Sequence, residues 1–202
     1  MTSAKKKRER DVPSPYIARG VGEIFLTRIP WLLLLMLSAT FTGMIISAFE
    51  SALSTSVYLT AFIPMLMGTG GNAGSQASVT VIRALSLGEI CPADLFRIIK
   101  KEVRVALLCA LTLSVIAYGK IYFLDYLLLG SLAPENATHA ALTVSVSLFF
   151  TVIAANVIGA LLPILARKLR LDPAVMASPF ITTAVDTVSI ALYFQIARIV
   201  IF

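Results

Sequence analysis

Long apolar stretches constrain this chain more than any other feature of its sequence. Five of them are at least about as long as a membrane-spanning helix, since roughly 18 to 20 apolar residues cross the hydrocarbon core of a bilayer. Hydrocarbon offers no partners to backbone amides, so a helix is the expected conformation of each stretch. The sequence therefore predicts an all-α membrane protein with five transmembrane helices per subunit. The predicted spans cover residues 31–49, 57–87, 105–129, 140–166 and 179–202.

Composition agrees with this class and leaves little room for another domain. Of the 202 residues, 58% are hydrophobic and only 14% are charged, which is typical of membrane proteins rather than soluble ones. A chain of this length holds one helical bundle but no separate catalytic domain. The sequence has neither a nucleophile–histidine arrangement nor a phosphate-binding loop, so we do not expect an enzyme.

Basic residues are distributed unevenly among the connections. They precede the first span and lie in the second and fourth connections, whereas residues 50–56 and 131–139 carry no Lys or Arg. Because basic loops stay in the cytoplasm, the amino terminus is predicted to be cytoplasmic and the carboxyl terminus outside. The same loops bind anionic lipid, so the net charge of +6 requires no nucleic acid. The clusters are Lys5, Lys6, Lys7, Arg8, Arg10, Arg19 and Arg28; Arg97, Lys100, Lys101 and Arg104; and Arg167, Lys168 and Arg170.

The second span contains a run of glycines, hydroxyls and amides between Pro64 and Gln76. At membrane depth such a backbone must be buried in protein or line a watery cavity, which predicts a pore wall or a packing seam. Gly70 and Gly74 form a small-xxx-small pair suited to close helix packing. The length of the span predicts tilt or a local break. A polar stripe at helical spacing consists of Asn72, Gln76, Thr80 and Arg83.

Asp186 is the acid best placed inside a span. An aspartate near a helix centre costs on the order of 3 kcal/mol on insertion scales, so such acids usually face a bundle interior or a watery path. If the helix starts at Pro179, Asp186 lies about 10 Å along it. One interpretation is a structural acid bonded to hydroxyls or a basic residue. The other is a cation site, in which oxygen ligands favour Mg²⁺, Ca²⁺ or Mn²⁺. Hydroxyls expected on the same side are Thr182, Thr183 and Ser189.

Three weaker features supplement these. Glu50 ends the first span, where it is either a solvated cap or a group that concentrates cations at the outer entrance. Residues 15–30 mix apolar and basic side chains and predict an interfacial helix before the first span. Asn156 and Gly159 in the fourth span favour helix packing over transport.

Three ordered blocks of the sequence resemble the MgtE family of magnesium channels. The first comprises residues 64–76, 81–85 and 87–89 and resembles the second span of that family. The second comprises residues 155–163 with the loop residues 171–174. The third runs from Asp186 through Tyr193 to Arg198 and resembles the fifth span. The blocks occur in the order of the family.

The resemblance implies a homodimer in a prokaryotic plasma membrane, with a pore on the two-fold axis between the second and fifth spans. Residues 31–202 would form this ion-channel domain, and residues 1–30 a basic cytoplasmic segment. Asp186 of each subunit would hold a hydrated Mg²⁺ ion, the transported ion itself. Backbone carbonyls would help near Gly68, Gly71 and Thr182, and Asn72 would lie beside the pore.

Other positions depart from the family pattern. Ser75 and Ser178 stand where asparagine is often found near the inner pore, and their hydroxyls are expected to hold hydration water. Asp172 resembles a cytoplasmic-side acid that helps bind regulatory magnesium; without the partners of the sensor domains, it is expected either to be vestigial or to serve as an ion exit. Family members commonly carry cytoplasmic sensor domains, whereas about 30 residues precede the first span here. We therefore expect gating by another route, such as a separate regulatory chain, the amino-terminal helix or Asp172.

Three functions agree with these features. The first is a channel through which hydrated Mg²⁺ moves down its electrochemical gradient. The second is a carrier that couples a divalent cation to Na⁺ or H⁺, with Asp186 as the coupling residue. The third is a membrane scaffold without a pore, in which the glycines serve only helix association.

Overall fold

The computed structural model describes residues 18–49, 56–170 and 173–201, without the side chains of residues 174–179. These residues form five long helices and no β-strand, so the prediction of an all-α protein is confirmed for them. The helices are α1 (Val21–Ala48), α2 (Ile63–Ser86), α3 (Leu95–Gly119), α4 (Pro134–Lys168) and α5 (Pro173–Val200). Short 3₁₀ segments, Val57–Phe62 and Pro92–Asp94, precede α2 and α3, and a π-helix, Lys120–Leu128, continues α3.

Four of the described helical stretches are long and apolar enough to cross a membrane: α1, Pro92–Leu128, α4 and the Phe180–Val200 part of α5. The remaining long helix, α2, has 24 residues, or about 36 Å at 1.5 Å per residue. Its length suffices to span, but its glycines and polar side chains make it less apolar than the others. The chain is a multi-pass membrane protein, and the polar α2 must be sheltered from lipid.

Four helices begin earlier than the sequence predicted. α1 starts at Val21 instead of residue 31 and α3 at Leu95 instead of 105. α4 starts at Pro134 instead of 140 and α5 at Pro173 instead of 179. α1 also passes through Pro30 without ending, so the described part of the expected interfacial helix is continuous with the first span. The predictions placed each helix start where the apolar stretch begins. Helical hydrogen bonds also include turns with polar or basic side chains, since long basic side chains can reach the interface.

Helix α4 lies at the centre of the bundle and packs against α2, α3 and α5. Most of its buried residues are small, which allows the neighbouring backbones to approach closely. Helix α1 lies at the edge, since none of its residues is buried. It touches α5 through two aromatic pairs, Trp31 with Phe180 and Phe49 with Phe194. Between α1 and α5 is an apolar cavity of about 520 Å³.

Glycines bring the backbone of α2 into contact with its neighbours. Gly159 of α4 lies so close to the backbone of Gly74 that a Cβ atom at position 159 would overlap it. A Cβ atom at Gly70 would lie 2.7 Å from Thr151 Cγ2 and 3.0 Å from Ser189 Oγ. The predictions that Gly70 and Gly74 form a packing pair, and that Gly159 serves packing, are confirmed.

The second span was predicted to tilt or to break locally, and no break occurs in the glycine run. α2 is a continuous α-helix from Ile63 to Ser86, and the irregular backbone precedes it in the 3₁₀ segment. Pro64 stands in the first turn of α2, where its missing N–H would have no helical partner. Each glycine weakens a helix by about 1 kcal/mol, and the close contacts at Gly70 and Gly74 offset that cost.

Candidate functional site

Asp186 lies at the middle of α5. It is the fourteenth of the 28 residues of this helix, about 20 Å from its start at Pro173. The sequence prediction counted about 10 Å from Pro179, which lies inside the helix. From Phe180, where the stretch apolar enough to cross a membrane begins, Asp186 lies about 9 Å along the axis. The side chain of Asp186 is half-buried. Among the residues that the structure describes, no hydrogen bond or ion pair reaches its carboxylate.

The part of α5 around Asp186 packs directly on the glycine run of α2. Val185, the preceding residue, lies within 3.0 Å of a Cβ atom placed at Gly70 and 3.3 Å of one placed at Gly74. Ser189, one turn later, lies over Gly70. The helix that carries the unpaired acid is thus in contact with the helix that carries the polar run.

The other side of α2 is open in the single chain. Every member of the predicted polar stripe is exposed, namely Asn72, Gln76, Thr80 and Arg83. Gly68 is exposed, while Gly71 and Ser75 are partly exposed. A Cβ atom at Gly68 or Gly71 would meet no atom within 4 Å. These two glycines therefore have no packing role within one subunit, in contrast to Gly70 and Gly74.

The hydroxyls expected beside Asp186 lie on different faces of α5. Thr182 is exposed. Ser189 is fully buried and donates its hydroxyl to the Val185 carbonyl at 2.6 Å. Thr183 lines the cavity between α1 and α5. The expectation that all three hydroxyls lie on one side with Asp186 was wrong for Ser189 and Thr183. Ser189 is buried where α5 packs on Gly70 of α2, and Thr183 faces α1.

Several predicted site residues lie outside the described part of the chain. Glu50 and Asp172 are among them, as is the side chain of Ser178. Within the described residues, no group of three or more His, Cys, Asp and Glu side chains comes close enough to hold a metal ion. The Asp186 carboxylate offers oxygen ligands of the kind that Mg²⁺ prefers.

Two interactions were missed by the sequence analysis. Lys120 and Asp125 form an ion pair of 2.8 Å in the π-helix. Their five-residue spacing is the signal that a π-helix would bring them together. The Tyr193 hydroxyl donates to the Leu59 carbonyl at 2.9 Å, and no sequence signal marks this pair.

Five long helices, a polar exposed face on α2 and an unpaired acid at mid-helix are typical of helical membrane transport proteins. The chain belongs to the MgtE family of divalent cation transporters, whose family profile matches residues 63–196.

Curated relatives extend the match beyond those residues. The magnesium transporter MgtE of Thermus thermophilus is 36% identical over 192 residues, which cover 95% of this chain and 40% of the relative. The protein of the same name from Bacillus subtilis is 39% identical over 171 residues, covering 84% of this chain and 36% of the relative. That of Enterococcus faecalis is 32% identical over 170 residues. The chain thus spans well under half the length of these relatives.

Proposed function

We propose that this chain forms a homodimeric channel for Mg²⁺, in which Asp186 of both subunits holds the hydrated ion. The relatives are named as magnesium transporters, and the family as divalent cation transporters. The observation that carries the proposal is the exposed polar face of α2, which lies beside the helix of an unpaired mid-span acid.

A lipid environment does not suit that face. The side-chain amides of Asn72 and Gln76, both exposed, would lose hydrogen bonds to water in contact with hydrocarbon, at several kcal/mol for each unsatisfied group. A second copy of the chain related by a two-fold axis would cover the face, and a watery path between the copies would solvate it. Such a path explains why glycine occupies positions 68 and 71 without a packing need within one subunit.

The ligands suit a hydrated ion better than a dehydrated one. Mg²⁺ gives up its water reluctantly and is usually held by one or two carboxylates through a partly retained hydration shell. Two copies of Asp186 supply two negative charges for a divalent cation. Because α2 is unbroken, the carbonyls of Gly68 and Gly71 already accept a helical hydrogen bond. Each carbonyl oxygen keeps a second lone pair, which can accept a hydrogen bond from a water molecule of the hydrated ion.

The remaining predicted ligands line the rest of the path. Asn72 and Thr182, both exposed, would contact hydration water near Asp186, with Ser75 and Ser178 nearer the cytoplasm and Asp172 at the inner end. With the amino terminus inside, a negative interior draws each charge inward with about 2.3 kcal/mol per 100 mV. No coupling ion is needed for uptake.

Magnesium-dependent growth of a transport-deficient bacterium tests the role of Asp186. Wild type should rescue growth, while Asp186→Asn and Asp186→Ala should not. Glu135→Gln is the matched control, since it removes one carboxylate from an exposed first turn of α4. Rescue by both Asp186 variants at wild-type expression would refute the paired-aspartate site. Failure of correctly folded wild type to rescue growth would instead favour the scaffold.

Two further measurements test the channel and the dimer. Uptake into proteoliposomes should persist without a Na⁺ or H⁺ gradient, and loss of uptake on their removal would indicate a carrier. Asn72→Cys should be cross-linked to a dimer by a short bis-maleimide when Cys91 and Cys109 are replaced by serine. Val115→Cys, which is exposed on α3, should not. Equal cross-linking of the two would contradict an interface at α2.

A further inference from the structure

A buried hydrogen bond ties α5 to the 3₁₀ segment Val57–Phe62, called here the 57–62 segment. The Tyr193 hydroxyl donates to the Leu59 carbonyl at 2.9 Å. Tyr193 is 0% exposed and Leu59 is 1% exposed, so water cannot replace this bond in the folded protein. The two residues are 134 positions apart in the sequence, and the bond therefore fixes a tertiary distance.

A second contact holds the same segment at Phe62. The Lys120 ammonium lies 5.9 Å from the centre of the Phe62 ring, within the range of a cation–π interaction. Lys120 is itself paired with the buried Asp125, so the pair adds no net charge that would repel a cation. Leu59 and Phe62 are both buried, and the 57–62 segment is thus anchored to α5 and to the π-helix.

The opposite side of the 57–62 segment is open. Val57, Thr60 and Ala61 are exposed, and the Thr60 hydroxyl donates back to the Val57 carbonyl at 2.7 Å. A 3₁₀ helix has poorer hydrogen-bond geometry than an α-helix. Its position therefore depends more on outside contacts such as the one from Tyr193.

Tyr193 follows Asp186 by seven residues on α5. Seven residues make two turns, so the two side chains leave the helix within about 20° of each other and about 10 Å apart along its axis. The 57–62 segment, which meets Tyr193, thus lies beyond Asp186 towards the carboxyl end of α5. That end is the outer one in the predicted orientation.

We propose that the 57–62 segment forms the outer wall of the ion path and that Tyr193 is a positioning residue that fixes this wall relative to Asp186. The inference rests on the proposed channel function. A hydrated divalent cation arriving from outside passes the exposed face of the segment before it reaches Asp186. Loss of the Tyr193 hydroxyl frees the segment, and the entrance then no longer matches the hydrated ion.

Tyr193→Phe tests the inference because it keeps the buried ring and removes only the oxygen. Tyr118→Phe is the matched control, since the structure shows no hydrogen bond to the Tyr118 hydroxyl from any described residue. In proteoliposomes, Tyr193→Phe should raise the half-saturating Mg²⁺ concentration roughly threefold to tenfold, the loss expected for one hydrogen bond. Tyr118→Phe should match wild type. Equal half-saturation in both variants would overturn the role of Tyr193.

A labelling experiment separates this inference from the transport activity. Leu59→Cys places a thiol at a buried position of the segment. In a chain with Cys91 and Cys109 replaced by serine, it is treated with a membrane-impermeant thiol reagent without Mg²⁺. Adding Tyr193→Phe should speed labelling roughly threefold to tenfold, whereas an unchanged rate would overturn the tie. This rate does not depend on which ion is carried, so it stands even if Mg²⁺ uptake fails.

Mg²⁺ protection tests the wall itself and does not require Tyr193→Phe to fold. With Tyr193 intact, Mg²⁺ at concentrations that saturate uptake should slow the labelling of Thr60→Cys. Val115→Cys on α3 is the control and should be labelled at the same rate with and without Mg²⁺. Absence of protection at position 60 in a protein that transports Mg²⁺ would remove the segment from the path.

Discussion

The contact between Gly159 and Gly74 predicts that one added methyl group, in Gly159→Ala, forces α2 and α4 apart. In Gly159→Ala the new Cβ atom would overlap the carbonyl and Cα atoms of Gly74. An alanine side chain has no rotamer to change, and the obstacle is backbone. The two helices must therefore move apart, which also disturbs the neighbouring contact of α2 with Val185 and the helix of Asp186.

Two opposing contributions set the change in the free energy of unfolding that Gly159→Ala causes. Overpacking a well-packed core costs about 1–3 kcal/mol, occasionally more, and backbone overlap belongs at the upper end. The better helix propensity of alanine returns about 1 kcal/mol. A net loss of about 2 kcal/mol lowers the melting temperature of a chain of this size by about 4–8 °C.

Gly43→Ala is the matched control, because a Cβ atom at this helical position in α1 meets nothing within 4 Å. It should melt at or slightly above wild type. The melting temperature of Gly70→Ala should lie between those of Gly43→Ala and Gly159→Ala, since the atoms that its Cβ would meet belong to side chains, such as that of Thr151, which can move. To measure the apparent melting temperatures, purified protein in detergent is heated at the same rate for every variant, and the fraction that remains monodisperse is determined at each temperature. A Gly159→Ala midpoint equal to that of Gly43→Ala would refute the helix packing described here.

Three other outcomes are expected. Gly68→Ala should leave the melting temperature unchanged, because its Cβ meets no atom within 4 Å, but it should lower Mg²⁺ uptake; unchanged uptake would place position 68 away from the path. Lys120→Met should lower the midpoint by about 4–8 °C, since leaving the buried Asp125 unpaired costs about 2 kcal/mol. The added change Asp125→Leu should restore most of that loss, and a further fall would contradict the pairing. Mg²⁺ at 100 times its dissociation constant should stabilise the protein by about 2.7 kcal/mol, an effect that a chelator reverses; the same stabilisation in Asp186→Asn would exclude binding there.

The helices and their packing seam were predictable because their signals are local. Apolar length marks a membrane span wherever it occurs, and the order of the helices follows from the chain. The four-residue spacing of Gly70 and Gly74 puts both on one face of any α-helix. The polar stripe from Asn72 to Arg83 follows from the same periodicity. Helix ends were less predictable, since helical hydrogen bonding extends beyond the apolar stretch. α1, for example, begins at Val21, ten residues before the predicted span.

The candidate site was predictable in its parts more than in its arrangement. Asp186 stood out because an acid in an apolar span is expensive. Its distance from the start of α5 was not predictable, because that helix begins before the apolar stretch that starts at Phe180. The faces of Thr183 and Ser189 also could not be assigned, since they depend on which neighbours α5 meets.

The sequence by itself determined the class of this protein, its five helices, the glycine seam and the acid at mid-span, because hydropathy and helical periodicity act over a few turns of one helix. Only the tertiary structure decided that α2 stays helical through its glycines, that Ser189 is drawn into the seam, and that Tyr193 reaches Leu59. Each of these depends on the distance between segments far apart in the chain. That distance is set by the packing of whole helices, for which no single stretch of sequence carries a signal.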